Sequence, residues 1–288
     1  MPIESWLTAA LLTVAVWGLA TLTSKPATVQ LGARRMVTMV FLGEAAVYFA
    51  LFLLLGTDVI LEGAPVPVAA GLFAGAAGAL AYLFYYEGMR SGTVGLIGTV
   101  SAAYPVVTIL LSLLVLGETL GAAQALGIAL VLLCVGILAW APRGVPTSPQ
   151  RAVGFALLAF LGWGLWGFLT KVSVDAIGEG NVFGMYSVAN LALLTAYVPL
   201  SRGRTADPHG PTKRSWALGL VTVGLGAAGA ISLTVAYALG PASLISPISG
   251  SYPVIATIAA RFVLREAFGW RQAAALALFI VGILLIAI

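Results

Sequence analysis

The sequence predicts an all-α integral membrane protein: ten transmembrane helices, arranged as two inverted five-helix repeats around a central cavity. Three observations carry that prediction. The chain is 61% hydrophobic and 8% charged, with a mean hydropathy of +1.06, whereas a soluble domain carries about 25% charged residues. Its apolar residues fall into ten runs of roughly 20, the length that crosses a hydrocarbon core. One phrase also occurs twice, SAAYPVV at 101–107 and SGSYPVI at 249–255.

The runs cover 6–24, 36–56, 66–87, 93–116 and 121–141, then 152–173, 181–200, 215–238, 242–264 and 269–288. The first lacks a basic n-region and follows Glu4, so it reads as a retained helix rather than a cleaved signal peptide. The second carries Glu44 inside its apolar stretch. The third holds Gly71, Gly75 and Gly78, echoed on the eighth by Gly219, Gly226 and Gly229, at spacings that let helices pack closely. The fourth and ninth hold the Tyr-Pro-Val phrases. Most connections are short. The exceptions are proline-rich APRGVPTSPQR at 141–151 and the polar SRGRTADPHGPTKRS at 201–215. The first of these divides the chain into a repeat at 1–141, a linker at 142–150 and a repeat at 151–288. A β-barrel does not fit, because its strands alternate polar and apolar residues in pieces of about ten.

The halves match along most of their length. Ser101, Tyr104, Pro105, Glu118 and Gln124 recur 148 positions later as Ser249, Tyr252, Pro253, Glu266 and Gln272. Earlier in each half the offset is 146, which pairs Trp17-Gly18-Leu19 with Trp163-Gly164-Leu165 and Lys25 with Lys171. Five helices are an odd number, so the second copy enters the membrane from the opposite side, as in inverted-repeat transporters. Charge agrees. The odd-numbered connections and their flanks hold Lys25, Arg34, Arg35, Arg90, Arg143, Arg151, Arg202, Arg204, Lys213, Arg214, Arg261, Arg265 and Arg271; the even-numbered ones hold only Lys171. The loop with Asp58 and Glu62 corresponds to the basic 201–215 loop. Basic residues mark the cytoplasmic side, so both termini are expected on the outer face of the cell membrane.

That reading also accounts for the net charge of +4 and pI of 9.4 without nucleic acid, for which no soluble basic face exists. Cys134 is the only cysteine and His209 the only histidine. No metal-ligand cluster or phosphate-cradling glycine loop is visible, so neither an enzyme nor a cofactor is expected. The expected partners are a small-molecule substrate and the lipid bilayer, with the chain acting as a monomer.

The WG of the first helix in each half, the ten-helix duplication, and the run YPVVTILLSLLVLGETLGAAQALGIALVLLCVGIL together resemble the EamA family of the drug/metabolite transporter superfamily. The second copy departs from the pattern at FVLREAFGW, where Arg265 stands for Gly117. Among family members the chain looks most similar to the YddG-type exporters of aromatic and other amino acids. The resemblance implies a pseudo-twofold basket whose cavity is formed mainly by helices 1, 3, 4, 6, 8 and 9, with 5 and 10 peripheral. It implies export of small metabolites by alternating access. Other cargo stands as the alternative: quaternary ammonium or drug-like cations, sugars, nucleotide-derived metabolites. A channel is a further alternative, although it would tend to carry a ring of repeated polar pore residues.

Several residues have both a functional and a plain structural reading. Pro105 and Pro253 remove a backbone donor midway along helices 4 and 9, which makes hinges or mere kinks. Trp17 and Trp163 lie about 16 Å into their helices, near the bilayer centre, and either line a cavity or pack. Tyr82, Tyr104 and Tyr252 bring hydroxyls that need partners. Ser101, Ser246, Ser249 and Ser251 are candidates for ligand hydrogen bonds or for helix–helix contacts. Glu44 is a candidate for proton coupling or polar helix contact; its repeat partner is Asn190, which does not titrate. Glu118 and Glu266 read as interface carboxylates, and Lys25 and Lys171 as snorkelling cations.

Overall fold

The computed structural model of the chain describes residues 3–57, 65–91, 94–139, 150–201, 210–263 and 269–288. Every regular element among them is a helix: α1 (Ile3–Leu55), α2 (Pro65–Ser91), α3 (Val94–Ala102), α4 (Pro105–Val115), α5 (Ala122–Ala139), α6 (Gln150–Leu200), α7 (Lys213–Leu239), α8 (Ala242–Gly250), α9 (Pro253–Val263) and α10 (Trp270–Ile286). Six stretches are long and apolar enough to cross a membrane: Ser5–Ser24, Pro26–Leu55, Pro65–Met89, Gln150–Leu200, Lys213–Leu239 and Ala242–Ala259. Three shorter apolar helices, Val100–Val115, Ala122–Ile137 and Trp270–Ile286, join them. Of the linker expected at 142–150, only Gln150 is described, as the start of α6. Asp58, Glu62, Arg143, Arg202, Arg204, Arg265, Glu266 and His209 lie outside the described residues, as do the side chains of Lys25, Arg90 and Arg261.

The connections expected near 25–35 and 174–180 are helical instead of open loops. α1 runs for 53 residues and α6 for 51, and a straight helix of that length would measure about 75–80 Å against a core of about 30 Å. Each is interrupted at one residue, Gly32 (φ 78°, ψ 157°) in α1 and Gly178 (φ 74°, ψ 159°) in α6. Only glycine takes that backbone without strain. The two glycines are 146 positions apart, the same offset that pairs Trp17 with Trp163.

The Tyr-Pro phrases break their helices more completely than a kink does. Pro105 is the first residue of α4 and Pro253 the first of α9, a position where the missing N–H has no partner to lose. The carbonyl that each proline leaves free, on Ser101 or Ser249, is taken by the backbone N–H of Tyr104 (3.2 Å) or Tyr252 (3.3 Å). Val106 N–H to Ala103 O (3.1 Å) and Val254 N–H to Ser251 O (2.9 Å) complete matching turns. The two breaks also meet: the Gly250 backbone lies against the Pro105 ring.

Glycine faces set the main crossings. A Cβ on Gly75 of α2 would come within 2.9 Å of Ala189 and of the Tyr186 backbone on α6. One on Gly219 of α7 would come within 2.9 Å of Leu31 and Met39 on α1. α5 packs on α10 through Gly127 and Gly282, whose backbones touch so closely that a Cβ on Gly127 would stand 2.6 Å from Gly282 O.

Candidate functional site

Five of the aromatic residues singled out in the sequence converge. Trp17, Trp163, Tyr82, Tyr104 and Tyr252 line one cavity, walled by α1, α2, α6, α7 and the two Tyr-Pro turns; among the described residues, α5 and α10 contribute nothing to it. Its interior leaves about 100 Å³ open to the centre of a water-sized sphere, enough for several waters.

The aromatic wall is held from behind. Trp17 donates its Nε1–H to Gly226 O (3.1 Å) and lies across Gly229, where no side chain fits beneath it. Its ring meets Tyr252 edge-on, with centroids 6.0 Å apart, and tilts against Trp166 at 6.1 Å. On the other side Trp163 meets Tyr82 edge-on at 5.5 Å and tilts against Tyr85 at 5.3 Å. Such pairs contribute about 0.5–1.5 kcal/mol beyond their area, which keeps the wall rigid.

The serines go elsewhere. Ser101, Ser246, Ser249 and Ser251 are fully buried and absent from the lining. Ser101 Oγ donates to Ile97 O (2.6 Å), Ser251 Oγ to Ile248 O (2.5 Å) and Ser249 Oγ to Ser246 O (2.9 Å). Helical serines satisfy themselves on the preceding turn in this way. Ser249 Oγ also shares a hydrogen bond with Tyr104 OH (2.7 Å), and Ser246 Oγ one with Tyr237 OH (2.9 Å). Pro105 and Pro253 lie next to the lining rather than in it.

Glu44 and Asn190 both reach the cavity. Glu44 is 4% exposed and Asn190 2%. The hydroxyls of Tyr48 and Tyr82 lie within hydrogen-bonding reach of the Glu44 carboxyl, yet its Oε1 makes no hydrogen bond. Asn190 Nδ2 donates to Tyr186 O (3.0 Å), while its Oδ1 has no partner. The two segments are pinned together where Ser187 Oγ donates to Ala45 O (2.9 Å).

Sequence reasoning missed Tyr48 and Tyr186, which also line the cavity. Each sits one helical turn from a polar residue it had flagged, four after Glu44 and four before Asn190, and that spacing on a shared face was the available signal. Tyr186 OH is itself hydrogen-bonded to Thr170.

Away from the cavity, Glu118 reaches across to α8. Its Oε1 accepts from Ala242 N (2.9 Å) and its Oε2 from Ser243 N (2.8 Å), so a carboxylate sits on the positive end of that helix. Lys171 donates to Asp175 (2.7 Å) and to Tyr237 O (2.9 Å).

The EamA-like transporter family matches the chain twice, over residues 4–140 and 150–288. A solved crystal structure is similar over 98% of this chain and 96% of its own, with 21% identity and a TM-score of 0.77; at that identity the likeness speaks for the fold. No curated protein sequence matches the chain.

Proposed function

Because the chain belongs to the EamA-like transporter family, whose members are membrane transporters rather than enzymes, we propose that it exports small metabolites, amino acids including aromatic ones, by alternating access. Within the family we assign it to the YddG-like amino acid exporters. The observation that carries this reading is the cavity: an aromatic wall with a buried carboxyl, at the meeting of four long helices and two helix breaks. Aromatic faces stack on planar or cationic cargo. The test is a liposome uptake panel of labelled amino acids, nucleobases, sugars and quaternary ammonium compounds, with and without a proton gradient. Saturable counterflow of phenylalanine is expected. Transport of sugars or nucleotides without amino acids overturns the assignment.

The architecture that goes with this is ten crossings in two inverted repeats, with α1 and α6 each crossing twice about their central glycine. Both termini then face outward across the cell membrane, and the monomer is the working unit. Ser24, Tyr85 and Thr222 lie in the halves of their crossings that adjoin basic connections, so the cavity extends from the midplane toward the cytoplasm. That is the loading side for an exporter. Lys213 is exposed at the start of α7. A Lys213→Cys, Cys134→Ala protein should react with an impermeant maleimide only after cells are permeabilised; rapid labelling of intact cells would reverse the orientation.

Pro105 and Pro253 serve as the hinges of this cycle. Alanine at either position restores an N–H that competes for Ser101 O or Ser249 O and favours a continuous helix. Both variants should fold and exchange substrate several-fold more slowly. Full exchange rates in both would make the breaks purely architectural.

A further inference from the structure

Two residues that line the cavity each bury an acceptor oxygen that accepts no hydrogen bond: Glu44 Oε1 and Asn190 Oδ1. Buried polar atoms of native proteins nearly always have a partner, so a matched pair of exceptions in one cavity points to a ligand. Turning the Asn190 amide over does not satisfy its oxygen. The Asn190 amide is oriented by Nδ2 donating to Tyr186 O; turned over, it would put its oxygen against that carbonyl and lose the bond. The Ser187–Ala45 hydrogen bond fixes the helix crossing one residue from Glu44 and one turn from Asn190, so the two oxygens belong to the same region of the wall. The side chains are also repeat partners, 146 positions apart.

The donor that fits is a protonated amine. An ammonium group carries three N–H donors and no acceptor, and a hydrogen bond from an ionised donor is roughly twice as strong as a neutral one. Tyr82 and Trp163 present aromatic rings beside it for cation–π contact and for the cargo's apolar body. Among the described residues, no lining side chain is basic, and Lys171 is already engaged by Asp175 and Tyr237 O. A substrate carboxylate therefore finds no matching cation among the described residues of this wall.

We propose that Glu44 and Asn190 form an amine-binding pole, so that cargo is selected by its ammonium group and an adjoining apolar body, with no carboxylate required. This rests on reading the cavity as the transport site and narrows its cargo to amines. Gly226 guards the approach. A methyl there would lie 3.4 Å from Tyr82 OH and 3.8 Å from Glu44 Oε1, and a branched side chain would cover that oxygen.

The test is direct binding to the purified full chain in detergent, read by tryptophan fluorescence and calorimetry. The probes are phenylalanine, phenylalanine amide, phenethylamine, N-acetylphenylalanine and 3-phenylpropionate. Phenylalanine amide and phenethylamine should bind at least as tightly as phenylalanine, and the two compounds without a free amine at least tenfold more weakly. Glu44→Gln, nearly the same shape, should weaken phenethylamine about tenfold or more and leave 3-phenylpropionate unchanged. Asn190→Leu should weaken the amines several-fold. Gly226→Val keeps both oxygens and should reproduce the Glu44→Gln pattern. Equal binding of 3-phenylpropionate and phenethylamine would overturn the amine pole while leaving the cavity reading intact. Binding of none of the five would overturn both. Unchanged amine affinity in folded Glu44→Gln and Gly226→Val would also overturn the pole.

Discussion

Trp17→Leu should lower phenylalanine transport tens-fold while leaving alanine transport within a few-fold of the parent. The indole does three things at once. It donates to Gly226 O, closes edge-on against Tyr252, and tilts against Trp166. Leucine keeps most of the apolar volume and loses all three. The hydrogen bond is worth about 1 kcal/mol. Stacking and cation–π contact with cargo contribute roughly 0.5–2 kcal/mol each, and this second part depends on the ligand. Trp163→Leu should act in the same direction through Tyr82 and Tyr85. Phenylalanine at either site should recover more than leucine does. Gly229→Ala offers a control that leaves Trp17 in the sequence but removes the floor on which its ring lies; it should reproduce the Trp17→Leu pattern. The decisive measurement is the ratio of phenylalanine to alanine transport in proteins that remain stable in detergent. An unchanged ratio in both tryptophan variants would assign the pair to packing alone.

The second large effect is expected at Glu118. Its carboxylate accepts from Ala242 N and Ser243 N, and so ties the end of the α4 segment to the start of α8 in the other repeat. Hydrogen bonds to charged groups are worth about 1.5–3 kcal/mol each; partial solvent exposure of the carboxylate brings the pair to about 2–3 kcal/mol in all. In the proposed topology this contact lies on the outer side, together with the Lys171–Tyr237 bond. On that topology we propose that the contact holds the outer side shut while the cavity opens inward. Glu118→Ala should therefore shift the balance toward outward-open states by about tenfold to a hundredfold, and lower the detergent melting midpoint by several degrees. Glu118→Gln, with one acceptor oxygen and no charge, should fall between. Accessibility of a reporter cysteine at Thr21 to impermeant reagent from outside should rise in the same order. A melting loss without any rise in accessibility would leave Glu118 a simple helix cap.

Much of the fold was legible because lipid imposes strong constraints. Runs of apolar residues near 20 long, broken by charge, leave little choice of class. The family match over both halves agrees with the duplication read from Trp17/Trp163 and Tyr104/Tyr252. The break points were harder to see. Gly32 and Gly178 are two among 34 glycines, and nothing local marks them as the residues with positive φ. The prolines were visible, but not the fact that they begin new helices, because that depends on a turn closed by Tyr104 and Tyr252 backbone N–H groups.

The sequence by itself determined the class, the family, and the aromatic residues most worth watching: Trp17, Trp163, Tyr82, Tyr104 and Tyr252. Large amphipathic rings near mid-membrane have few places to put a polar edge, so a cavity is a natural destination. Only the tertiary structure decided which small polar residues accompany them. A serine in a helix can always turn to the carbonyl one turn back, as Ser101, Ser249 and Ser251 do, and no spacing pattern reveals that choice. Glu44 and Asn190 differ because of how their helices are rotated. Close contacts at Gly75 and a single Ser187–Ala45 hydrogen bond set that rotation. It brings Glu44 and Asn190 into the cavity lining, and helical period alone does not fix which face of a helix turns inward.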